Sequence, residues 1–376
     1  LVEIGDEREC KEYPIEILFC NLCNSAHQRF QVPKKDLFPK TYHYRSRFTA
    51  DVLAGMSNLV DKVEIKVGSL VNKKVLDIGC NDGSLLNFFQ KKGAKTIGIE
   101  PTGAYKDALE NKHDVFNSFL SLETAKQVFD KYGAPDVITF TNVFAHIENL
   151  PEVIQALRIL ISSKTLIVIE NHYLGSVLEK NQFDTFYHEH PRTYSLTSFK
   201  FISRSLGLNL QDVEFPKRYG GNIRIFMGFE KCLDQEKDNR VQYIMNEEKK
   251  FEEVFFNLHQ WMKNWKKETV KKIKDVHMKN GKLIAKAFPG RAAILVKILG
   301  LDNNIVEAVY EKPKSMKIGH YLPGTKIPIV SDNELFTKIK KCPVIINLAW
   351  HIPNEISTYL KDNGFTGEII NVVEGG

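Results

Sequence analysis

The sequence predicts an α/β protein built on an open, mostly parallel sheet, with a small N-terminal part and a second α/β unit after it. Three observations support this prediction. From residue 74 onward, apolar runs of strand length alternate with helical patterns. A turn containing Gly79 and Gly83 joins the first of these strands to the next helix. Ligands of open α/β sheets bind where parallel strands end, and several predicted strands end in or lead into a polar, ligand-binding side chain: Asp77, Glu100, His146 and Glu170.

The composition argues against a nucleic-acid-binding, a membrane-spanning and a disulfide-rich protein. The chain has 376 residues, 43% of them hydrophobic, which is enough for two or three cores. Its net charge of +6 suits an anionic small substrate and falls far short of a nucleic-acid-binding surface. No apolar run reaches the roughly 18 residues of a membrane span, the first residues do not form a signal peptide, and six scattered cysteines do not form a disulfide framework. We expect a cytoplasmic monomer that acts on a small molecule, without nucleic acid or membrane.

Residues 1–45 form the small N-terminal part. Cys20 and Cys23 have the C-x-x-C spacing that lets two thiolates bind one zinc ion from a tight turn. A structural zinc ion needs four ligands, and Cys10 and His27 lie at no diagnostic spacing from this pair. Two reduced cysteines near the surface are therefore as good an interpretation as a metal site.

A dense polar and aromatic cluster follows at 42–46. Tyr42 and Tyr44 can stack on a base while Arg45 pairs with a phosphate. The same composition is also typical of a contact between domains. Residues 48–70 then have the pattern of a helix that leads into the central part of the chain.

The turn after the first strand has the spacing D-x-G-x-N-x-G, formed by Asp77, Gly79, Asn81 and Gly83, with Asp82 as a second acid. Glycine lets the backbone approach a ligand where a Cβ would collide. Dinucleotide sites show three glycines instead, and place a pyrophosphate on the helix end. Acidic side chains would repel phosphates but suit a sulfonium cation with its amino group, as in the first motif of class I S-adenosylmethionine (SAM) methyltransferases.

Later strand ends extend this interpretation. Glu100 ends the second strand, where a carboxylate accepts hydrogen bonds from ribose hydroxyls. Phe119 follows the next short strand and can cover an adenine ring. Asn142 and His146 follow a further strand, at the edge of the sheet where the ligand is expected.

The stretch 181–191 carries the densest set of reactive side chains. Tyr187, His188, Glu189 and His190 are consecutive in a loop or short extended segment, and do not match the H-E-x-x-H zinc helix. In an extended segment, the two histidines would face the same side. A metal pair is conceivable, but we favour acid–base catalysis.

After residue 197 the pattern predicts a helix and two antiparallel strands joined at Gly220 and Gly221. Residues 235–280 then have the three- and four-residue apolar spacing of one long amphipathic helix. The smaller α/β unit follows, and Arg291 at a helix start is interpreted either as a phosphate ligand or as a surface residue.

Together these motifs resemble the sugar C-methyltransferases of deoxysugar pathways, which act on dTDP-linked keto-sugars. The resemblance covers nearly the whole chain. Its blocks are Cys20-x-x-Cys23, the Y-H-Y-R-S segment 42–46, the turn 76–83, G-I-E-P-T at 98–102, N-V-F-A-H at 142–146, Q-F-D-T-F-Y-H-E-H at 182–190, S-L-T-S at 195–198 and Y-L-P-G-T-K-I-P-I at 321–329. The Y-H-E-H and Y-L-P-G-T blocks are specific, whereas the glycine turn alone is not.

The resemblance implies a zinc-binding domain at 1–45, a class I SAM-binding domain with a Rossmann-like fold at 46–235, and a helical linker with a Rossmann-like substrate domain at 236–376. It implies SAM as cofactor and a sugar nucleotide as substrate, with His190 as the base and Tyr187, Glu189 and His146 beside it. Two departures stand out. The family's first cysteine pair is absent, so the zinc site is complete only if residues precede Leu1. The family's glycine-rich G-A-x-A-K-G-N turn has lost most of its glycine at 287–293, with Arg291 in place of lysine, which leaves the sugar nucleotide open.

The implied reaction is removal of a proton beside a carbonyl by His190, followed by attack of the enolate carbon on the methyl group. Two alternatives remain at this point. A SAM-dependent O- or N-methyltransferase of another small metabolite would use the same histidine to deprotonate a heteroatom. A binding module that has kept the fold would not bind SAM.

Overall fold

The structure is a computed structural model that describes residues 1–8, 10–38, 44–230 and 235–373. Contacts divide the chain into two compact units. The central unit comprises Ile15–Glu179 and His188–Glu253, and the C-terminal unit comprises Leu1–Pro14, Lys180–Tyr187 and the chain from Val254 onward. This division differs from the predicted boundaries at residues 45 and 235.

The elements are numbered in chain order. The strands are β1 (Val2–Glu3), β2 (Ile17–Cys20), β3 (Ser25–Gln28), β4 (Lys74–Ile78), β5 (Lys95–Ile99), β6 (Asp114–Phe116), β7 (Val137–Thr141), β8 (Leu166–His172), β9 (Arg192–Thr193), β10 (Asn209–Glu214), β11 (Asn222–Gly228), β12 (Leu283–Lys286), β13 (Val306–Glu311), β14 (His320–Tyr321), β15 (Ile329–Ser331), β16 (Val344–Asn347) and β17 (Glu368–Asn371).

The α-helices are α1 (Lys34–Leu37), α2 (Ala50–Val67), α3 (Ser84–Lys91), α4 (Tyr105–Glu110), α5 (Leu122–Tyr132), α6 (Leu150–Leu160), α7 (Leu174–Glu179), α8 (Leu196–Ser205), α9 (Gln235–Glu248), α10 (Phe251–Asn280), α11 (Ala292–Leu299), α12 (Asp332–Lys338) and α13 (Pro353–Asp362). Short 3₁₀ helices span Ser46–Phe48, Phe144–His146, Phe183–Thr185, Arg218–Gly220 and Ile339–Lys341.

The central unit is built on a seven-stranded sheet with the order β10-β11-β8-β7-β4-β5-β6. Strands β4 to β8 are parallel, and β11 pairs antiparallel with both β8 and β10. A parallel sheet with an antiparallel finish is the arrangement expected for a class I methyltransferase, so the predicted fold class is confirmed.

Successive residues of the central strands point to opposite faces of this sheet and build two cores. Val75 packs with α2 and α3 on one face, and Leu76 packs with α5 and α6 on the other. Both side chains are fully buried, and each contributes about 1.5–3 kcal/mol of hydrophobic stabilisation. Because both faces are covered, ligand access is left to the edge where the parallel strands end.

A separate three-stranded sheet joins the N-terminal hairpin to the chain just after His190. Strand β3 pairs with β2 and with β9. The Gln28 side chain amide donates to the His190 carbonyl oxygen at 3.1 Å, and the Gln28 backbone N–H donates to the Pro191 carbonyl oxygen at 2.9 Å. The hairpin that carries Cys20 and Cys23 therefore braces the segment that carries His190.

The C-terminal unit is built on a five-stranded parallel sheet with the order β15-β13-β12-β16-β17. The predicted second sheet is thereby confirmed, although its short strand β15 and helix α12 were not predicted. The single helix predicted over 235–280 is wrong, because the chain turns at Lys249 and Lys250 and forms α9 and α10. In the part of the chain that the structure describes, no helix has the length and apolar character to cross a membrane.

Candidate active site

The turn between β4 and α3 brings the backbone close to the space in front of the sheet. Gly79, Asn81 and Gly83 have φ values of +73°, +51° and +77°. A Cβ on Gly79 would lie 2.5 Å from Val143 Cγ2, and one on Gly83 would lie 2.7 Å from His113 Cδ2. Both glycines are required here, because positive φ and these contacts exclude a side chain.

Asp77 lies at the end of β4 and is buried, with 3% exposure. The Thr139 hydroxyl donates to its Oδ1 at 2.7 Å. Burial raises the pKa of Asp77 to about 7, and the nearby negative charge of Glu100 adds to this, while the Thr139 hydrogen bond opposes it. In the described ranges, no cationic side chain forms an ion pair with Asp77, so a bound cation would stabilise its ionised form.

Glu100 follows β5 and is also buried. Its Oε1 accepts hydrogen bonds from the Thr102 backbone N–H at 2.8 Å and the Thr102 hydroxyl at 2.5 Å, and its Oε2 accepts one from the Asn81 N–H at 2.9 Å. Burial raises the pKa of Glu100, opposed by these hydrogen bonds. Because each carboxylate oxygen has two lone pairs, Oε2 keeps one acceptor position, which fits a ribose hydroxyl.

Asn81 and Asp82 hold the segment 44–47 against the turn. Asn81 Oδ1 accepts from the Ser46 N–H at 3.1 Å, and Asp82 Oδ2 accepts from the Arg47 N–H at 3.0 Å. Asp82 Oδ1 also accepts from the hydroxyl of Ser84, the first residue of α3, at 2.6 Å and from its backbone N–H at 3.2 Å. Residues 44–46, the described part of the predicted polar and aromatic cluster, are therefore held against the glycine turn.

The two remaining residues predicted to bind the cofactor lie after β6 and β7. Phe119 is 39% exposed, with Lys34 Nζ 5.1 Å from its ring centre. Asn142 has a φ of +54°, and its Oδ1 accepts from Asn222 Nδ2 at 3.3 Å. Asn142 is thus tied to β11, whereas the face of Phe119 is partly accessible.

Three imidazole rings meet at the ends of β7 and β8. The ring centre of His190 lies 5.0 Å from that of His146 and 5.1 Å from that of His172. His190 is 5% exposed. His190 and His146 were predicted, but His172 was missed, because the pattern predicts the end of this strand at Glu170, whereas β8 continues to His172.

His146 is held in one tautomer. Its Nδ1 lies 2.5 Å from the Glu189 carbonyl oxygen, which can only accept, so Nδ1 carries the proton. In neutral His146 the lone pair is then on Nε2. Phe38 packs edge-on against this ring at 5.3 Å.

The segment 187–190 is a turn after a short 3₁₀ helix. It is not extended, so the reason for expecting His188 and His190 on the same side does not apply. Tyr187, His188 and Glu189 are half-buried. Tyr187 belongs to the C-terminal unit, and the chain enters the central unit at His188. The roles predicted for Tyr187 and Glu189 remain predictions.

Cys20 and Cys23 were interpreted either as zinc ligands or as two reduced thiols. Burial alone would raise the pKa of the Cys20 thiol, but hydrogen bonds from the backbone N–H groups of Cys23 and Leu22 outweigh it and lower this pKa. Cys23 Sγ lies 3.1 Å from Ser25 Oγ. Among the residues that the structure describes, no group of three or more His, Cys, Asp or Glu side chains is arranged to hold a metal ion. The two thiols do not complete a site with any of these residues, and no step of the reaction below uses zinc.

The residues predicted to bind substrate have different placements. Tyr42 lies outside the described residues. Tyr44 is 42% exposed, and its carbonyl oxygen accepts from Asn81 Nδ2 at 3.2 Å. Arg291 was interpreted from the sequence either as a phosphate ligand or as a surface residue. It lies at the start of α11 in the C-terminal unit, is 9% exposed, and its guanidinium binds the Asp184 carboxylate. Sequence reasoning missed Asp184 and its second partner, Trp350.

Two family models match the chain. A methyltransferase domain matches residues 43–213, and a C-methyltransferase C-terminal domain matches residues 217–371. Among curated proteins, the C-methyltransferase NovU of Streptomyces niveus is 24% identical over 361 residues, which cover 94% of this chain and 85% of NovU. The ubiquinone biosynthesis O-methyltransferase of Aeromonas salmonicida is 32% identical over 108 residues, which cover 27% of this chain and 44% of that enzyme.

Among solved structures, the magnesium protoporphyrin IX methyltransferase ChlM of Synechocystis PCC 6803 with bound SAH matches with a TM-score of 0.37 and 17% identity. The match covers 47% of this chain and 82% of that one.

Proposed function

We propose that this protein, a member of the SAM-dependent C-methyltransferases, methylates a carbon atom of a nucleotide-linked keto-deoxysugar. The proposed nucleotide is dTDP. The C-methyltransferase model over residues 217–371 and the similarity to NovU support carbon over a heteroatom as the methylated atom. The sugar rests on the resemblance of the Y-H-Y-R-S, Y-H-E-H and Y-L-P-G-T blocks to enzymes of deoxysugar pathways.

One observation carries the proposed chemistry. The His190 ring lies between His146 and His172 at the ends of β7 and β8, in the sheet whose strand β4 leads into the glycine turn. A base in that position shares its edge of the sheet with the site proposed for the methyl donor. Its low exposure limits the water that would compete with the substrate for the imidazole.

The acids of the turn fit the methyl donor. Asp77 is a buried acid next to which a positive charge is favourable, and Glu100 retains an acceptor for a ribose hydroxyl. Phe119 offers a ring face for the adenine. When bound, the donor supplies an electrophilic methyl group on its sulfonium sulfur, which is transferred to carbon as S-adenosylhomocysteine is released.

His190 is proposed to take the proton from the carbon beside the ketone, because neutral imidazole is a suitable base near pH 7. The enolate then needs a hydrogen-bond donor at its oxygen. Neutral His146 presents an acceptor nitrogen, since its proton is on Nδ1, and can donate from Nε2 only as an imidazolium. Tyr187 is therefore the preferred donor, and the Glu189 carboxylate is proposed to balance the charge of the imidazoles.

The substrate class is tested by incubating the protein with SAM and a panel of nucleotide-linked keto-sugars. We expect a product about 14 daltons heavier, roughly one CH₂, since transfer needs only the two bound reactants, and a new carbon–methyl signal in its NMR spectrum. Methylation of oxygen or nitrogen, or no product from any keto-sugar, would contradict the proposal.

The base is tested with His190→Asn. We expect SAM affinity to be unchanged in calorimetry and turnover to fall by roughly 10²–10⁴-fold, the range for loss of a general base. His259→Asn is the matched control, because His259 is exposed on α10. Wild-type turnover in His190→Asn would exclude this role.

A further inference from the structure

The C-terminal sheet has the strand order of a dinucleotide-binding fold. Strand β12 is central, and the order reverses between β12 and β16. In such sheets the crevice at this point receives a ligand, and the start of the helix after the first strand receives its phosphate. Here the turn 287–291 lies between β12 and that helix, α11.

The last residue of that turn, Arg291, binds a carboxylate of this chain through its side chain. Arg291 Nε donates to Asp184 Oδ2 at 2.8 Å, and Arg291 Nη2 donates to Asp184 Oδ1 at 2.5 Å. Trp350, in the loop after β16, donates from Nε1 to Asp184 Oδ2 at 2.9 Å. The elements on both sides of the reversal thus bind one carboxylate, in the bidentate geometry by which arginine otherwise binds phosphate.

The surroundings of this carboxylate are closed. Asp184 has 0% exposure and Arg291 has 9%. The Arg291 guanidinium lies 5.4 Å from the centre of the Trp350 ring, and Arg291 Nη2 lies 3.3 Å from Gln182 Oε1. Burial, together with the positive charge of Arg291, lowers the pKa of His351 to about 4. His351 therefore stays neutral and does not compete with Arg291 for Asp184.

The segment Lys180–Tyr187, which contains Asp184, is also fixed by aromatic packing. Phe183 lies 4.8 Å from Trp265 and 6.1 Å from Trp261 between ring centres, and Phe186 lies 6.2 Å from Phe255. Lys180–Tyr187 leaves the central unit after Glu179, and the chain returns to it at His188. His190 follows Tyr187 by three residues, so the Asp184 carboxylate fixes the chain six residues before the proposed base.

We propose that Arg291, Asp184 and Trp350 are positioning residues for methyl transfer. Arg291 follows β12 and Trp350 follows β16, one on each side of the reversal in strand order, and the Asp184 carboxylate that they hold thereby fixes Tyr187 and the turn that leads to His190. This inference rests on the proposed function for the roles of Tyr187 and His190. It gives the C-terminal unit a part in catalysis without a nucleotide at this crevice.

Kinetics test the proposal with Asp184→Asn and Arg291→Lys. Since a misplacement of about 1 Å can lower a rate 10²-fold, we expect kcat to fall by roughly 10–100-fold. The KM for the sugar nucleotide and the Kd of SAM should stay within about threefold of wild type, because positioning changes the rate more than binding. The matched control is Lys297→Met, which breaks an exposed ion pair of the same helix with Glu12 and should change none of these values.

Hydrogen exchange gives a second measurement that needs no substrate. In Arg291→Lys we expect faster exchange across 182–192, with unchanged exchange in the turn 77–83. A rise in KM with unchanged kcat would show that Arg291 binds substrate instead. Unchanged kcat and unchanged exchange in a folded variant would overturn the inference. If the wild-type protein methylates no keto-sugar, the proposed function fails, and the exchange experiment still decides whether the carboxylate fixes the segment.

Discussion

Both sheets bury an ionisable side chain at the end of their first long parallel strand, but only one of the two charges is paired. Asp77 lies near the C-terminal end of β4, is 3% exposed, and accepts a hydrogen bond from the Thr139 hydroxyl. Lys286 ends β12 with 1% exposure, and its Nζ donates to Asp332 at 2.8 and 2.9 Å and to the Tyr310 carbonyl oxygen at 3.1 Å. Burial raises the pKa of Asp77 and lowers that of Lys286.

The difference shows that strand order does not by itself make a ligand site. At the end of β4 the acid has no cationic partner in the described ranges, and the glycines that follow let Val143 and His113 pack directly against the turn. At the end of β12 the lysine is satisfied by Asp332, and the turn that follows holds Asp184 through Arg291. The buried acid of the central sheet therefore lacks an ionic partner in the described ranges, whereas the buried charges at the corresponding end of the C-terminal sheet are paired with its own side chains.

The largest expected effect comes from unpairing the C-terminal charge. In Lys286→Met the Asp332 carboxylate stays buried. Among the side chains that the structure describes, only the Tyr359 hydroxyl, at 2.8 Å, still donates a hydrogen bond to it. Loss of one partner of a buried pair lowers the free energy of unfolding by about 3–5 kcal/mol, which denaturant titration measures. SAM affinity should not change. Lys286→Met with Asp332→Asn should regain most of the stability, and a double variant as unstable as the single one would contradict this account.

The second effect is a pH dependence of donor binding that depends on Asp77. Because the pKa of Asp77 is about 7, a bound cation must displace its proton below pH 7. The apparent SAM affinity should therefore rise roughly tenfold per pH unit from pH 5 to 7, as measured by calorimetry. The pKa of Glu100 is also raised by burial, so Asp77→Asn is needed to assign the effect, and a slope that survives in this variant would assign it elsewhere.

In the absence of SAM, Asp77 gives the folding stability a pH dependence of the opposite sign, because its pKa is raised in the folded protein. The folded protein binds the Asp77 proton more tightly than the unfolded chain does, so this contribution to stability is fully present below about pH 4. It is lost as the pH rises through 7, by up to roughly 4 kcal/mol. Asp77→Asn should flatten this decline in the thermal stability of the SAM-free protein.

Much of the fold follows from local patterns in the sequence, and less of the site does. The glycine turn, Glu100 and His146 are local signals, since each lies within a few residues of a predicted strand. The pairing of Asp184 with Arg291 joins residues 107 positions apart, and no periodicity predicts such a contact. The break between α9 and α10 was missed for a related reason, because the apolar spacing continues across it.

The third-largest effect is expected from adding a side chain to the glycine turn at Gly79. Gly79→Ala places a Cβ 2.5 and 2.8 Å from the γ-carbons of Val143 in a left-handed backbone, which costs about 1–2 kcal/mol in conformation alone. We expect SAM affinity to fall by roughly 10–100-fold in calorimetry, since each factor of ten is about 1.4 kcal/mol. Adding Val143→Ala should recover part of this loss by removing the contact. Full affinity in Gly79→Ala would show that the turn does not approach the donor.

The smallest effect is expected at the corresponding turn of the C-terminal sheet. Ala287 has a φ of +63°, and its methyl group packs against the core there. Ala287→Gly relieves about 1–2 kcal/mol of backbone strain but loses about 0.5–1 kcal/mol through the freer unfolded chain and about 0.8 kcal/mol of buried methyl. The free energy of unfolding should therefore change by less than about 1 kcal/mol, and SAM affinity and turnover should not change. A gain of nucleotide binding in Ala287→Gly would show that side-chain bulk in this turn, and not the Asp184 carboxylate, closes the C-terminal crevice.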